Sequence, residues 1–560
     1  MTTHVTPQPS DSLEAPAAAQ ATVAGGATPA LRSRTRAAWI GLVGVGLVAV
    51  LVFWVFEALP FQDLPAHAGL IALRHRFSQS AFEQHFFVLA PHIGPYSLFR
   101  FLGEGFVRVI GPVGAVRALA TLPVIATPLA LLFARRRLYD DRSPSYGFIG
   151  LALSFGLMTL LGFASYLLGV SVMLVGLTLW LELMVATDDE APDRTRRELI
   201  VAAFAPLMFV AHGHAFVLFL LCAGVSTIAT GNRFARILRI RALVPALALA
   251  GWVAWLERGA TTPPGSLPVV PPLVPLFQTP AEKLGLLVTP TLMTRTGIDF
   301  IIAVVVWFFA VACTVLTVRS IRSGDGVKVA AEVRHSRALY ASALALGLVF
   351  LALPHAIGWF GFVDGRLVPM VLYLALLGIR RSVLPPSFLR ALDTGAPVVA
   401  ATIAVLAMVA SYRFQAEAAG YQQVLGRLPV NARVLNLPVD PNSDVFTAHP
   451  FVHYDKLALA DRPLVVSDIW FHQGSALYPT PDNPAVRLPA SYSESDLKGI
   501  DWPAYQLSDW DFVLMRTKPS APQPTIPSAF VLEEHRGGWW LFRHTAAAHS
   551  NPAGDAHGLP

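Results

Sequence analysis

Apolar runs of about twenty residues or longer recur from Ala37 to Ser411, and clusters of arginine punctuate them. A bilayer offers the backbone no hydrogen-bond partner, so runs of this kind are confined to helices. Apolar residues make up 54% of the 560-residue chain and charged residues 14%, against about 25% in soluble domains. Mean hydropathy is +0.54. Such a chain reads as a polytopic α-helical membrane protein whose first partner is the lipid bilayer. The net charge of +6 is mostly arginine. In a membrane protein, basic loops report topology before they report partners, which sets nucleic acid aside. Cys222 and Cys313 both sit in apolar runs, arguing against a disulfide framework and a thiolate metal site. Arginine far outnumbers lysine and alanine is abundant, as in proteins from GC-rich bacterial genomes.

Residues 1–31, rich in Ala, Thr and Pro, read as a disordered cytoplasmic tail. "RSRTR" (32–36) precedes Ala37–Phe56, a run too long for a signal-peptide core and followed by no small-residue cleavage site. An uncleaved anchor is expected. Further basic clusters fall at 134–142, 193–197, 233–241, 318–337 and 379–390. Keeping all of them cytoplasmic requires an even number of spans between each pair. The apolar runs allow this, with a return near 112–133 and a hairpin turning at 162–166. Two short spans turn at His212-Gly213-His214, spans follow near 242–256 and 300–317, a hairpin turns at 355–366, and a last span lies near 395–411. The expected count is about eleven. The expected regions are a transmembrane part at 32–411, a small extracytoplasmic α/β domain at 412–545 and a disordered end at 546–560.

Ionisable groups outside the arginine clusters fall on the outer side of this topology. They include Asp63, His67, His92, Tyr96, Tyr166, His212, His214, His355, Asp364 and Arg366. Any interface collects His and Tyr, but ionisable groups at membrane depth line cavities or pathways. The one-sidedness of the set predicts a cavity open to the outside. Residues 60–110 are too polar to span and read as interfacial helices of a large first outer loop, separated by Pro91 and Pro95. Pro65 favours a helix start there, leaving Asp63 near its N-cap. Asp63 is then either a helix cap or a carboxylate at the roof of a dry cavity, acting as general base on an acceptor hydroxyl. His67, four residues on, shares its helical face and can bond the carboxylate or a phosphate. Asp63, His67 and a remote histidine would make a divalent-metal site, but no ligand spacing supports one, and no cofactor is expected.

An acidic residue at the end of the first span, interfacial helices in the first outer loop, many further spans and a folded outer tail together resemble the GT-C superfamily. These are integral-membrane glycosyltransferases that use lipid-phosphate sugars. The resemblance covers nearly the whole chain from about residue 37 and rests on layout. "AHGHAF" (211–216) resembles the family's apolar-His turn, and "FVDGRLVPMVLYLALL" (362–377) its late re-entry into the membrane. The resemblance implies a polyprenyl-phosphate sugar donor, a glycan, lipid or protein acceptor of the cell envelope, and a bacterial inner-membrane location with the site facing outward. By position it assigns Asp63 as base and Glu57 as a weaker second acid. Family members often carry paired acids here as DxD or DE, whereas these two stand six apart, which leaves a different or lost activity open. Arg366, with Arg74 or His355, would neutralise the departing phosphate, or Arg366 only anchors at the interface.

The Pro-rich stretch 258–285 reads as an extended strap with a short helix near 280–287. In the tail, strands are expected at 432–437, 463–468, 511–517, 530–535 and 539–544, the last two joined at Gly537-Gly538. His449, His453, Tyr454, Trp470 and His472 suit sugar stacking or belong to an ordinary core. There is no P-loop, dinucleotide or serine-hydrolase motif. The rivals to glycosyl transfer are a transporter or flippase for a lipid-linked or small polar substrate, which should show paired repeats with interrupted helices, and a non-catalytic envelope-assembly protein.

Overall fold

The computed structural model describes residues 29–546, apart from 90–92, 187–190, 231–236, 260–262, 268–272, 324–329, 359, 471–476, 496 and 498. Helix α1 (Pro29–Leu51) stops short of the end of its apolar run. Phe53 stacks on Phe61 with centroids 4.9 Å apart, folding the chain back, and Arg117 holds the carbonyls of Phe53 and Glu57 at 3.0 and 2.9 Å. The first loop then forms α2 (Leu64–Arg76), α3 (Ala81–Phe86) and β1 (Phe87–Leu89). Helix α4 (Ser97–Tyr139) is kinked where Gly111, at φ 69°, precedes Pro112. The part before the kink carries the polar face and the part after it runs through the bundle.

Helices α5 (Ser145–Leu153), α6 (Leu157–Leu160) and α7 (Ala164–Val185) form an uneven hairpin. Its first limb breaks between α5 and α6, where Thr159 Oγ1 donates to the carbonyl of Ser154 at 2.6 Å and Leu157 N–H finds the carbonyl of Thr289 at 3.0 Å. Backbone groups freed by the break are thus satisfied, as an apolar surrounding requires. Helices α8 (Ala191–Ala211) and α9 (Gly213–Ala229) meet at His212. Then follow α10 (Val244–Gly259), β2 (Pro275–Leu276), α11 (Pro280–Leu286), α12 (Ile298–Ser323), α13 (Ala330–Ala352), β3 (Ala356–Ile357), α14 (Leu367–Leu377) and α15 (Pro386–Ala418). Among the described residues, six helices are long and apolar enough to cross a bilayer, and three shorter apolar helices accompany them. The protein is a multi-pass membrane protein.

Arginines gather at one end of the bundle, where they satisfy helix C-termini. Buried Arg135 donates to the carbonyls of Leu377 and Ile379 at 2.9 and 2.6 Å and pairs with Asp141 at 2.9 Å. Arg239 donates to the carbonyl of Leu183 at 2.6 Å. Cations suit the orphan carbonyls of a helix end. Helices α4, α7 and α14 finish at this end and begin at the opposite one.

The tail continues through α16 (Tyr421–Leu425), β4 (Ala432–Pro438), α17 (Lys456–Asp461), β5 (Leu464–Val466), β6 (Leu477–Pro479), β7 (Phe512–Arg516), β8 (Phe530–Arg536) and β9 (Trp539–His544). Five strands make a mixed sheet in the order β5-β4-β7-β9-β8, with β4 parallel to β5 and β7, and β9 antiparallel to both its neighbours. The tail is joined to the first loop. Strand β1 pairs antiparallel with β6, Phe87 opposite Pro479, and Arg76 donates to the carbonyls of Leu459 and Arg462 at 2.6 and 3.0 Å. Helix α2 approaches α17 so closely that a side chain on Gly69 would stand 3.1 Å from the Lys456 carbonyl oxygen.

The strap ends in α11, whose capping box joins Thr279 and Glu282, and β2 pairs with β3. Lys283 Nζ reaches Asp364 at 2.7 Å and the carbonyls of Phe350 and Leu353 at 2.9 and 2.7 Å, while His355 Nδ1 lies 2.9 Å from the other Asp364 oxygen. His355 and Asp364, expected at the cavity, therefore fasten the strap to the turn before α14. Removing one partner of a buried pair leaves the other charge uncompensated, at a cost of about 3–5 kcal/mol. Asp364→Ala is expected to melt well below wild type in detergent, with Lys283→Met plus Asp364→Leu recovering most of the loss. Equal melting temperatures for wild type and Asp364→Ala would show that the pair holds nothing.

Candidate active site

Asp63 is positioned by its backbone. Gln62 and Asp63 N–H groups donate to the carbonyls of Leu160 and Leu161 at 2.8 and 3.2 Å, at the end of α6. The turn that follows passes through Gly162 at φ +77°, where a Cβ would stand 2.8 Å from Asp63 N. Only glycine meets both demands. Asp63 occupies the N-cap of α2, but its carboxylate bonds none of the helix N–H groups. The capping role expected as one reading is not made, and the carboxylate faces a cavity of about 780 Å³ instead.

The cavity lies at the end of the bundle away from the arginine clusters. His67, Arg74, Tyr96, Tyr166, His212 and Arg366 line it with Asp63. Arg366 is 5% exposed, and its guanidinium carbon sits 4.1 Å from the Phe360 ring centroid and 4.4 Å from that of Phe163. One Nη donates to the Gly361 carbonyl at 3.1 Å, and Nε is buried without a partner. Among the described residues no carboxylate pairs with it. Tyr166 Oη donates to the Arg366 carbonyl and fixes its backbone. A cation stacked on rings and short of hydrogen bonds has capacity for an anion. His212 caps α9, accepting from Ala215 N at 3.5 Å, and its ring packs on Tyr96 and Tyr166. His214 stands behind the wall, its ring between Tyr166 and Phe360.

His67 does not bond Asp63. Its ring lies 4.9 Å from Phe99 and 4.8 Å from Trp470, and burial, with help from the His453 charge, pushes it down to about 3, so it is a neutral imidazole at physiological pH. Arg74 pairs with Glu104 at 3.1 Å. Glu57 lies elsewhere. Because α1 ends early, Glu57 lines a separate cavity of about 410 Å³ with Arg117, Leu64 and Pro65, so no paired acid stands beside Asp63 from this loop. His92 and His472 lie outside the described residues.

The tail supplies the rest of the wall, including His453, Asp468, Trp470, Tyr492 and Glu494. His453 Nε2 lies 3.6 Å from Asp63 Oδ1, and its Nδ1 is 2.8 Å from Glu494 Oε2. Lys456 Nζ bonds the same Glu494 oxygen, and Asn436 and Tyr492 donate to Oε1 at 3.0 Å each. Burial raises Asp63 from 3.8 to about 6, against the opposing pull of His453 and Arg366 and with a smaller push from Asp468. Burial would lower His453, but Glu494 and Asp63 hold it above its ordinary value. Trp470 adopts φ +48°, unusual for a bulky residue, and its N–H donates to Asp468 at 3.2 Å. Sequence reading missed Asp468 and Glu494. Asp468 follows β5, at the carboxyl end of a parallel strand, where α/β sheets place their sites. Glu494 sits in an irregular polar loop and carries no such signal. Among the described residues no group of three or more His, Cys, Asp or Glu is arranged to hold a metal ion.

A raised carboxyl binds its proton better in the folded chain than in the unfolded one. Its contribution to stability is complete below about pH 4 and is lost as pH rises through 6. A displacement from 3.8 to about 6 corresponds to about 3 kcal/mol. Asp63→Asn should therefore melt higher than wild type at pH 8 and alike at pH 4, read by thermal unfolding at both values. A difference independent of pH would contradict the buried-carboxylate assignment.

No family model matches the chain, and no curated protein matches it. Among solved structures it is similar to ArnT from Cupriavidus metallidurans in the apo state, at 12% identity and TM-score 0.49 over 90% of this chain and 98% of that one. It is similar to the arabinofuranosyltransferase AftD from Mycobacteria, at 15% identity and TM-score 0.45 over 90% of this chain and 40% of that one. The oligosaccharyltransferase of Archaeoglobus fulgidus, in complex with Zn and sulfate, matches at 14% identity and TM-score 0.40 over 85% of this chain and 68% of that one. With TM-scores below 0.5, no residue or role is carried across from them.

Proposed function

We propose that the protein is a membrane glycosyltransferase that moves a sugar from a polyprenyl-phosphate donor to a cell-envelope acceptor, on the extracytoplasmic side of a bacterial inner membrane. The observation that carries this reading is one cavity faced by both a buried carboxylate and a buried arginine that, among the described residues, has no ion-pair partner. Asp63 takes the proton of the acceptor hydroxyl. The acceptor oxygen forms its bond to the anomeric carbon as the bond from that carbon to the phosphate oxygen breaks. The electron pair leaves on the phosphate, and Arg366 neutralises the charge that develops there. A carboxyl near 6 is ionised at pH 7 and is a stronger base than an ordinary aspartate.

The reading includes about eleven crossings, a cytoplasmic N-terminus and the region limits 32–411 and 412–545. The arginine clusters then lie in the cytoplasm, and the cavity and tail lie outside. Cysteine introduced at Val439, 45% exposed in the tail, should react with an impermeant thiol reagent on intact spheroplasts, and cysteine at Arg142 should not. Labelling of the second alone would reverse the topology, and labelling of both would contradict it.

Turnover of polyprenyl-phosphate sugars by the purified chain tests the chemistry. Asp63→Asn should lower kcat by about 10²–10⁴, and Arg366→Gln should raise the donor KM. Undiminished turnover in Asp63→Asn would remove Asp63 from the mechanism.

A further inference from the structure

We infer that His453, oriented by Glu494, is a positioning residue whose charge keeps Asp63 ionised, so that the tail completes the base that the bundle begins. The inference rests on Asp63 being the base of the proposed reaction. The geometry fixes the roles. Glu494 Oε2 takes Lys456 Nζ and His453 Nδ1, and Oε1 takes Asn436 and Tyr492, so both carboxylate oxygens are committed. A saturated carboxylate holds the imidazole ring in one orientation, with Nδ1–H donated and Nε2 turned to Asp63 Oδ1 at 3.6 Å.

The groups that face Asp63 come from three parts of the chain. From α2 comes His67, neutral among aromatic rings. From the start of α14 comes the Arg366 cation. From the tail come His453 and Asp468, which act in opposite directions. Lys456, Glu494 and Asp455 face His453 from behind. Two cations therefore oppose the burial of Asp63, and they differ in what happens when donor binds. A phosphate at Arg366 neutralises that cation at the moment a base is needed. The imidazolium of His453, tied to the tail on its far side, is left to hold the carboxylate ionised.

The test reads protons, not turnover, on the full chain in lipid nanodiscs. The carboxyl infrared band of Asp63, isolated by difference from Asp63→Asn, should titrate near pH 6 in wild type. In His453→Gln the midpoint should rise by about one pH unit or more, a tenfold gain in proton affinity. His453→Lys, which keeps a cation, should hold it near the wild-type value. Coupling is reciprocal. Asp63→Asn should therefore lower the midpoint of the His453 ring nitrogens in ¹⁵N spectra, and this arm stands even where His453→Gln does not fold. An unmoved Asp63 band in His453→Gln, or an unmoved His453 titration in Asp63→Asn, overturns the inference. Failure of every donor in the turnover assay would overturn the proposed reaction and leave these midpoints as they are.

Discussion

The close seating of α2 on α17 decides what the cavity can be. Lys456 takes part in it twice. Its backbone carbonyl oxygen lies 3.1 Å from where a Cβ on residue 69 would stand, and its ammonium reaches Glu494 behind His453. The contact that docks the tail on the first loop is thus continuous with the network that orients the imidazole. The β1–β6 pairing, the Arg76 bonds and the Tyr454 hydroxyl, which donates to the Leu59 carbonyl at 2.8 Å, surround that contact. Tail residues complete the wall around Asp63, and their packing supplies part of the burial that raises it.

Several charges buried elsewhere are matched. Arg135 meets Asp141 and two helix-end carbonyls, and Lys283 meets Asp364 and two more. Arg516 is stacked on Phe451 and Trp539 and, like Arg366, keeps nitrogen atoms without a partner. What separates Arg366 is its place on a cavity wall, where an incoming anion can meet it. A desolvated cation costs stability. An anion bound at this wall, such as the phosphate of the proposed donor, would recover that cost.

The turns were legible in the sequence because local chemistry sets them. Gly162, the His212-Gly213-His214 corner and the Gly537-Gly538 hairpin each lie where the apolar period breaks. Asp63, Tyr166 and Arg366 were legible as members of one outer set for the same reason: spans alternate, and the arginines sort the ends. Distant pairing was not. That Asp364 and His355 would turn to Lys283, or that His453 would stand against Asp63, depends on segments far apart in the chain meeting in space. Glu57 failed by a local effect, since the aromatic fold-back at Phe53 and Phe61 ends α1 before its apolar run does.

Both sides of the cavity mix apolar and polar side chains. Leu70, Ile71, Phe99, Leu161 and Phe163 come from the first loop and the bundle beside Tyr96, Tyr166, His212 and Arg366, while Asp468, Tyr492 and Glu494 come from the tail beside Val452, Trp470 and Leu488. A lipid-borne donor needs an apolar approach from the membrane, and a hydroxylated acceptor needs hydrogen-bonding groups reached from water. Asp63 sits at the seam between the walls, held by α6 on one side and facing His453 on the other. A carboxylate there lies where groups of the bundle and groups of the tail meet. Neither wall alone provides that meeting, which gives a physical reason for a membrane bundle to carry a folded tail over its mouth.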